Sequence, residues 1–211
     1  MDISGLRSEY TGPWLNEADA GHDPLALFRA WFDDAVAAGE PEANAMTLAT
    51  ATPGGVPSAR MVLLKGADER GFTFFTNYGS RKGHELAANP VAALVLYWAI
   101  LKRQVRVEGR VGRVSGEESA AYFASRPRGS RLGALASDQS AVIAGREVLE
   151  RRLAELEAAH PGDDVPMPPD WGGFRVVPDL IEFWQGRPNR LHDRLSFRRA
   201  GADWTRERLA P

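Results

Sequence analysis

The spacing of apolar residues first indicates a helix near the N-terminus. In the segment "DPLALFRAWFDDAVAAG", apolar side chains recur at intervals that give a helix one apolar face. Asp23 is suited to cap this helix, Pro24 to its first turn and Gly39 to its end. The preceding polar residues 1–22 are broken by glycine and proline, and we expect a mobile arm before a single domain of residues 23–211.

From residue 45 the pattern changes to short β-rich runs separated by glycine and proline. It predicts strands at 45–52, 59–67, 71–77, 91–98 and 103–114, closing strands at 174–186 and 195–211, and helices at 80–90, 116–125 and 145–159. Ser80 is expected to cap the first of these helices, and Pro90 to end it. Regular crossover helices do not join the strands, so the pattern favours a mainly antiparallel β-barrel with flanking helices.

Composition then narrows the class of protein. Hydrophobic residues make up 44% and charged residues 26% of the 211 positions, as in ordinary globular proteins. A net charge of −2 argues against a general nucleic-acid binder, and the absence of cysteine removes disulfides and thiolate chemistry. The longest apolar run, residues 91–101, is too short to span a bilayer, and no signal peptide is apparent. We therefore expect a cytoplasmic protein.

Common catalytic signatures are missing from the sequence. There is no phosphate-binding loop of the G-x-x-x-x-G-K-[ST] type, no G-x-G-x-x-G after a first strand and no G-x-S-x-G elbow. The four histidines are scattered without the spacing of metal ligands, so no metal is expected. An enzyme of this composition would rely on a bound organic cofactor.

Two clusters of basic residues in the first half of the chain could bind anions. Arg60 and Lys65 are five positions apart, which places them on opposite faces if one strand holds both. In "TNYGSRKGHE", Thr76, Arg81 and Lys82 surround a strand-to-helix turn, where free N–H groups and the helix dipole attract phosphate. The same pattern equally fits a capped helix with an exposed basic first turn.

A third cluster lies in "YFASRPRGSRLG". Tyr122 and Arg126 share a helix face if the helix continues that far, Pro127 breaks the chain, and Ser130 is expected in the turn. Two hydroxyls and a guanidinium could converge on a phosphate there. An ordinary loop at the end of a helix fits the spacing equally well.

The fourth cluster is "RPNRLHDR", residues 187–194. In an extended chain Arg190, His192 and Arg194 share one face, which suits an anionic aromatic ligand. A solvated edge strand is the alternative interpretation. Arg187 lies outside the alternation and is expected in solvent, whereas Asp193 is expected to be a structural partner.

Taken together, these stretches resemble a known family. The segments "RMVLLK", "FFTNYGSRKGHELAANP", "RQVRVEG", "YFASRPRGSRLGALASDQS", "WGGFRVVPDLIEFWQG", "NRLHDR" and "RLAP" occur in the order found in the pyridoxine (pyridoxamine) 5′-phosphate oxidase family. The resemblance runs from about residue 6 to residue 211 and implies an FMN-binding split β-barrel that works as a homodimer with sites at the interface. It implies FMN-dependent oxidation of pyridoxamine or pyridoxine 5′-phosphate to pyridoxal 5′-phosphate, with molecular oxygen as acceptor and hydrogen peroxide as product.

The resemblance also assigns roles to individual positions. Cofactor-binding positions would be Arg60, Met61, Val62, Leu63, Phe75, Thr76, Arg81, Lys82, Gln104, Gln139, Ser140, Trp184 and Arg194. Substrate-binding positions would be Lys65, Tyr122, Arg126 and Ser130 for the phosphate, Arg190 and His192 for the pyridine ring, and Arg7 and Tyr10 in a lid segment. Arg190 and His192 would be the catalytic pair, with His192 orienting a ring hydroxyl.

The sequence departs from some members of the family at two places. Asp138 stands where some bacterial members have lysine, and a basic cluster that some members carry after Tyr10 is missing, so a second, inhibitory product site is not expected.

A split-barrel flavin reductase, a deazaflavin-dependent relative or a non-catalytic carrier of pyridoxal phosphate or flavin could use the same fold. The retained pair Arg190 and His192 argues against a carrier.

Overall fold

A computed structural model describes residues 1–6 and 9–211 of the chain. Its described part contains one curled sheet whose pairings are all antiparallel, as the sequence predicts. Its strands are β1 Ala45–Ala51, β2 Pro57–Leu63, β3 Gly66–Asp68, β4 Gly71–Asn77, β5 Val91–Trp98, β6 Arg103–Arg113, β7 Trp171–Gln185, β8 Asp193–Ala200 and β9 Asp203–Arg208. They follow the order β2-β1-β5-β6-β7-β4-β3, and β8 and β9 continue from β7.

The long strand β7 joins the two parts of the sheet. It pairs with β6 along most of its 15 residues, with β4 through its N-terminal half and with β8 through its C-terminal half. The register shifts by one residue in the middle, because Glu108 lies opposite Leu180 while Gly109 lies opposite Pro178. Asp179 is therefore the extra residue of a β-bulge, and Pro178 can be accommodated there because it has no N–H to donate.

Helices flank the sheet. They are α1 Glu17–Ala20, α2 Pro24–Ala37, α3 Arg81–Ala88, α4 Gly116–Ser125, α5 Arg128–Ala136 and α6 Arg146–Ala159, with a 3₁₀ turn at Pro188–Arg190. The two expected N-caps are confirmed, since Asp23 accepts a hydrogen bond from the Leu25 N–H and Ser80 accepts one from the Gly83 N–H. Within the described residues, no helix combines the length and the apolar character needed to cross a bilayer.

The core forms between α2 and the inner face of the sheet. Phe28 packs edge-on against Phe72 of β4 at 5.0 Å between ring centroids, and Trp31 packs against Phe183 of β7 at 5.2 Å. Burial of such an aromatic side chain stabilises the fold by roughly 1.5–3 kcal/mol. Leu15 is also buried, so part of the segment predicted as an arm packs on the domain; its mobility stays a prediction.

The predicted strand 59–67 is wrong as a single element. β2 ends at Leu63, and the chain bends so that the Leu64 N–H bonds to the carbonyl of Asn44 and the Lys65 N–H to that of Thr73. β3 then begins at Gly66. β-rich composition continues through the bend, so the residue types do not reveal it. Lys65 consequently does not share a strand with Arg60.

The end of α4 also differs from the prediction. Arg126 lies outside the helix with extended backbone angles (φ −76°, ψ 147°), as expected for a residue that precedes proline. A helix that the sequence analysis did not predict, α5, starts directly after Pro127, so Ser130 lies in its first turn and not in a loop. Likewise the last predicted strand, 195–211, is two strands, β8 and β9, joined by a turn at Gly201 (φ +66°).

Candidate functional site

A cavity of about 540 Å³ opens between the strands β2 and β4 and the helices α4 and α5. It is called here the cationic cavity. Its walls combine positive charge, hydroxyl groups and aromatic rings, and they include eleven of the positions assigned through the family resemblance. The lining residues are Met61, Val62, Leu63, Lys65, Phe75, Thr76, Asn77, Lys82, Tyr122, Arg126, Ser130, Gly133, Ala134, Ser137, Gln139 and Trp171.

Lys82 supplies a buried charge to one side of the cationic cavity. Its side chain projects from the first turn of α3, the residue is only 9% exposed, and Nζ donates to Gln139 Oε1 at 2.7 Å, Thr76 Oγ1 at 3.1 Å and Ser80 Oγ at 3.3 Å. Burial, with a smaller contribution from the nearby charge of Arg60, lowers the pKa of Lys82. These acceptors are all neutral, so a bound anion would compensate the buried charge.

Arg126 supplies a second cation to the cationic cavity. Its guanidinium lies over the ring of Trp171, 4.9 Å from the centroid. Tyr122 and Phe75 stack on each other at 4.0 Å and continue the aromatic wall. Nη1 of Arg126 is buried without a hydrogen-bond partner in the described part of the chain, and burial lowers the pKa of this arginine. A charged donor left unsatisfied in a cavity calls for an anionic acceptor.

Lys65 and Ser130 reach the cationic cavity from places that the sequence did not predict. Lys65 comes from the bend between β2 and β3, and Ser130 from the first turn of α5. Tyr122 and Arg126 approach from the end of α4 and the residue after it. These four side chains therefore share one cavity, although the strand face and helix face that were expected to gather them do not exist.

Arg60 and Arg81 lie beside the cationic cavity and are joined by one carboxylate. Glu85 accepts hydrogen bonds from Arg60 Nη2 at 3.1 Å and Arg81 Nε at 2.9 Å, and also from the hydroxyls of Thr50 and Ser58. These hydrogen bonds, led by that from Ser58, lower the pKa of Glu85 to about 2. The carboxylate therefore stays ionised and orients both guanidinium groups.

The loop after α5 closes the same region from the other side. The hydroxyl of Ser140 accepts a hydrogen bond from the backbone N–H of Arg81 at 3.2 Å. Ser140 has a positive φ of 75°, a conformation that a non-glycine residue keeps only where contacts hold it. Gln139 and Ser140 therefore connect this loop to the first turn of α3.

A second set of assigned residues forms a row across four strands. Trp184 of β7 lies directly opposite Gln104 of β6 and Arg194 of β8, and Gln104 lies opposite Tyr97 of β5. Directly paired residues point to the same face of a sheet, so these four side chains stand side by side. They are called here the aromatic row. Arg194 is held in it by Glu182, whose carboxylate accepts from Nε at 2.9 Å.

His192 and Arg190 gather at the aromatic row with Tyr10. The rings of Trp184 and His192 are 4.6 Å apart, and Tyr10 lies 5.6 Å from the His192 ring and 5.9 Å from that of Trp184. The Arg190 guanidinium is 5.6 Å from the Tyr10 centroid. Burial, followed by the charge of Arg190, lowers the pKa of His192. The imidazole is therefore neutral near pH 7.

The predicted alternation of Arg190, His192 and Arg194 along a strand is wrong. A 3₁₀ turn holds Pro188–Arg190, Asn189 and Arg190 have positive φ angles, and β8 begins only at Asp193. The expectation that Arg187 is solvated is also wrong, since its side chain is 11% exposed and lies 3.7 Å from Asp193 Oδ2. The prediction that Asp193 is a structural partner is confirmed by its bonds to Leu15 and Arg208.

The cationic cavity and the aromatic row lie at opposite ends of β7. Trp171 lines the cavity and Trp184 belongs to the row, and the thirteen steps between them span roughly 40 Å along a strand at about 3.3 Å per residue. Within one chain they are therefore two separate groups of side chains. Of the other assigned positions, Arg7 lies outside the described residues.

Several lining residues had no assigned role in the sequence analysis. They are Asn77, Gly133, Ala134, Ser137 and Trp171 in the cationic cavity, Tyr97 in the aromatic row and Glu85 beside the cavity. The run "VAALVLYW" is apolar almost throughout, so its pattern does not reveal that Tyr97 faces outwards. Glu85 could have been found from its i, i+4 spacing to Arg81. For Trp171 the sequence carries no such signal, because tryptophan is usually a core residue.

Comparison with known proteins places the chain in a family. A family model described as pyridoxamine 5′-phosphate oxidase matches residues 32–160, and one described as the pyridoxine 5′-phosphate oxidase C-terminal dimerisation region matches residues 171–211. A pyridoxine/pyridoxamine 5′-phosphate oxidase of Rubrobacter xylanophilus is 62% identical over 100% of this chain and 97% of the relative. One of Thermosynechococcus vestitus is 61% identical over 99% of both.

Solved structures agree with the observed architecture. PhzG from Burkholderia lata 383, crystallised in complex with tetrahydrophenazine-1-carboxylic acid, superposes with a TM-score of 0.90 at 32% identity, covering 97% of this chain and 100% of that protein. A pyridoxamine 5′-phosphate oxidase-related, FMN-binding protein from Nostoc punctiforme superposes with a TM-score of 0.71 at 18% identity, over 87% of this chain and 97% of that one, and supports the split-barrel fold. The chain belongs to the pyridoxamine 5′-phosphate oxidase family of enzymes.

Proposed function

We propose that this protein is an FMN-dependent oxidase that converts pyridoxamine 5′-phosphate, pyridoxine 5′-phosphate or both to pyridoxal 5′-phosphate. Molecular oxygen is the electron acceptor and hydrogen peroxide the product. The observation that carries the proposal is a pair of cations in the cationic cavity, the buried Lys82 and the half-buried Arg126, neither of which forms an ion pair with a carboxylate in the described residues. Two such cations suit two phosphate groups, one from the cofactor and one from the substrate.

The residues around Lys82 fit the phosphate of FMN. Lys82 offers an ammonium group that has no ionic partner among residues 1–6 and 9–211, Arg60 and Arg81 lie beside it, and the N-terminus of α3 adds the positive end of a helix dipole. Bound there, FMN would supply the chemistry of accepting two electrons from the substrate and passing them to oxygen. Gln139 and Ser140 would hold its ribityl side and fix the loop over it.

The other wall of the cationic cavity fits the phosphate of the substrate. Arg126 presents its unpaired Nη1, and the hydroxyls of Tyr122 and Ser130 and the ammonium group of Lys65 open onto the same space. Charge-assisted hydrogen bonds of this kind contribute about 1.5–3 kcal/mol each. A flavin reductase with a substrate that has no phosphate would not need these four residues together.

A second subunit would bring the cationic cavity and the aromatic row together as the two halves of one site, called here half-sites. The family model that matches residues 171–211 describes a dimerisation region, and this region contains Trp184, Arg190, His192 and Arg194. We propose a homodimer in which the aromatic row of one subunit completes the cationic cavity of its partner. Arg190 would then place a flat cation against the pyridine ring of the substrate.

His192 would act as a hydrogen-bond donor to the substrate ring. Its Nδ1 accepts a hydrogen bond from the backbone N–H of Arg187 at 3.0 Å, which assigns the proton of the neutral ring to Nε2. The Nε2–H group can then hold an oxygen atom on the pyridine ring. Hydride transfer from the substrate needs mainly proximity and alignment, so no strong base is required of this chain.

A direct assay tests the proposed function. FMN-loaded protein is mixed with each phosphorylated vitamer, and oxygen uptake, peroxide release and the absorbance of pyridoxal phosphate are followed. Unphosphorylated pyridoxamine is the matched control, and it should react much more slowly because it lacks the group that Arg126 binds. No oxygen uptake with either phosphorylated vitamer would overturn the proposal. Tight binding of pyridoxal phosphate without turnover would indicate a carrier, and flavin reduction by a nicotinamide alone would indicate a reductase.

A further inference from the structure

We propose that Arg187 is a positioning residue that fastens residues 10–15, called here the N-terminal strap, across the loop that carries Arg190 and His192. The inference rests on the proposed function for its effect on turnover, but not for its structural part. Family membership does not assign a role to Arg187, and the sequence pattern alone predicts a solvated side chain.

The side chain of Arg187 contacts the strap through two of its residues. Nη1 donates a hydrogen bond to the carbonyl of Gly12, and the guanidinium carbon lies 3.6 Å from the centroid of the Trp14 ring. Trp14 is 71% exposed, so its position does not come from burial in the core. A flat cation with several donors can stack on a ring and bond to a carbonyl together, which lysine cannot do equally well.

The strap lies against the end of β7 at close range. A Cβ atom on Gly12 would be 2.3 Å from Gln185 Nε2, and one on Gly186 would be 3.1 Å from the Tyr10 ring. Glycine at these two positions therefore leaves room for the side chains of Gln185 and Tyr10 between the strap and the end of β7. The close fit holds the strap in a defined position, in which Gly12 and Trp14 contact Arg187.

Asp193 anchors the far end of the strap. Its carboxylate accepts from the backbone N–H of Leu15 at 3.2 Å and from Arg208 Nη1 at 2.9 Å, and Arg187 Nε is 3.7 Å away. One buried acid therefore links the strap, the start of β8 and the last strand. Both arginines face this one carboxylate, so removal of either would leave the buried acid with less compensation.

The backbone of Arg187 also holds the loop that carries Arg190 and His192, called here the catalytic loop. The Arg187 N–H donates to His192 Nδ1, and between them Asn189 and Arg190 adopt positive φ angles of 56° and 63°. Asparagine adopts such an angle readily, but it costs Arg190 roughly 1–2 kcal/mol, so contacts must hold Arg190 in this conformation. A single residue thereby connects the strap, which carries Tyr10 onto His192, with the orientation of the imidazole.

Hydrogen–deuterium exchange of FMN-loaded protein tests the strap itself. In Arg187→Ala and Trp14→Ala, we expect a peptide that covers residues 9–15 to exchange roughly three- to thirty-fold faster than in the unmodified protein, as loss of a cation–π contact would produce. Arg187→Lys should recover only part of the protection. Arg146→Ala, which removes an exposed arginine on α6, is the matched control and should change nothing.

Kinetics then test the effect on the site. The two alanine variants should raise the KM for the phosphorylated vitamer by a similar factor, with a smaller change in kcat and an unchanged affinity for FMN. The double variant should be no worse than Arg187→Ala alone, because the contact that Trp14→Ala removes, the stacking of the guanidinium on the ring, is already lost in Arg187→Ala. Should Arg187→Ala fail to fold, Trp14→Ala and Arg187→Lys still decide the question, since Trp14 is exposed and lysine keeps the charge.

The outcomes separate this inference from the proposed function. Unchanged exchange of the strap in both Arg187→Ala and Trp14→Ala would overturn the role of Arg187, whatever the activity. Faster exchange in a protein that oxidises neither vitamer would leave the strap contact established and the proposed function overturned. Faster exchange with an unchanged KM would show that the strap does not position the catalytic loop and would also overturn the inference.

Discussion

Arg60 and Glu85 form an ion pair beside the cationic cavity, with Nη2 of the arginine 3.1 Å from Oε2 of the glutamate. The carboxylate also binds Arg81, and its side chain is only 6% exposed. One acidic group thus holds two of the arginines that the proposed function places near the phosphate of FMN. A carboxylate alone would repel a phosphate, so the role of Glu85 is to orient the two guanidinium groups.

The substitution Glu85→Gln should weaken FMN binding roughly tenfold or more, because losing a charge-assisted hydrogen bond of about 1.5–3 kcal/mol frees both guanidinium groups. The measurement is a fluorescence titration of flavin-free protein with FMN. Riboflavin, which lacks the phosphate, is the control ligand and should bind equally to both proteins. An FMN affinity that stays the same or increases would contradict an orienting role for Glu85.

Acid should destabilise the protein partly through the same residue. The pKa of Glu85 falls from an ordinary value of 4.5 to about 2 on folding, so its contribution to stability is complete above pH 4.5 and is lost as the pH falls towards 2. Chemical unfolding at several pH values should show a shallower loss in Glu85→Gln than in the unmodified protein. Equal slopes over this interval would show that Glu85 is not the group responsible.

Removing Arg126 should affect the substrate phosphate. In Arg126→Ala the KM for the phosphorylated vitamers should rise about ten- to a hundredfold, as expected from the loss of a contact of about 1.5–3 kcal/mol, while kcat changes little. Activity with unphosphorylated pyridoxamine, though low, should be unaffected. A uniform loss with both kinds of substrate would place Arg126 elsewhere than at the phosphate.

Arg190→Ala should lower turnover far more than FMN affinity, because the side chain faces the substrate ring in the proposed site. It should also raise the pKa of His192 towards its ordinary value, since the charge of Arg190 is one of the two causes that lower it. NMR titration of the imidazole, and the acidic limb of the pH profile of kcat/KM, should both show this shift. A flavin-free variant, or an unchanged pKa, would contradict the assignment.

Mixed dimers test whether two subunits share each site. Arg126→Ala and Arg190→Ala damage different half-sites, so a mixed dimer of the two would keep one intact site out of two. Random reassociation of equal amounts should restore about a quarter of the unmodified activity, well above that of either variant alone. Activity that remains at the level of the separate variants would indicate sites built within one chain.

Much of the fold could be predicted because local patterns determine it. The caps Asp23 and Ser80 and the β-rich runs at 91–98 and 103–114 predict elements that the structure confirms. The bend at Lys65 and the helix after Pro127 could not be predicted, since backbone hydrogen bonds to distant strands and a proline that starts a helix leave little trace in residue types.

The candidate site was predictable as a set of residues but not as an arrangement. Arg190, His192 and Arg194 were expected to alternate on one strand, yet a 3₁₀ turn with left-handed angles replaces the first part of it. Arg187 is expected in solvent because it lies outside that alternation, and its actual partner Trp14 is 173 positions away in the chain, a separation that no local pattern reports.

Because of the bulge at Asp179, the positions that face the core are even-numbered in the first half of β7 and odd-numbered in the second half. Before the bulge, even-numbered residues such as Phe174 and Val176 face the core, whereas after it the odd-numbered Ile181 and Phe183 do. Deleting Asp179 would exchange inside and outside for one half alone, burying Trp184 and exposing Phe183. The residue that decides which side chains form the aromatic row thus lies five positions before Trp184, at a single unpaired position outside the row.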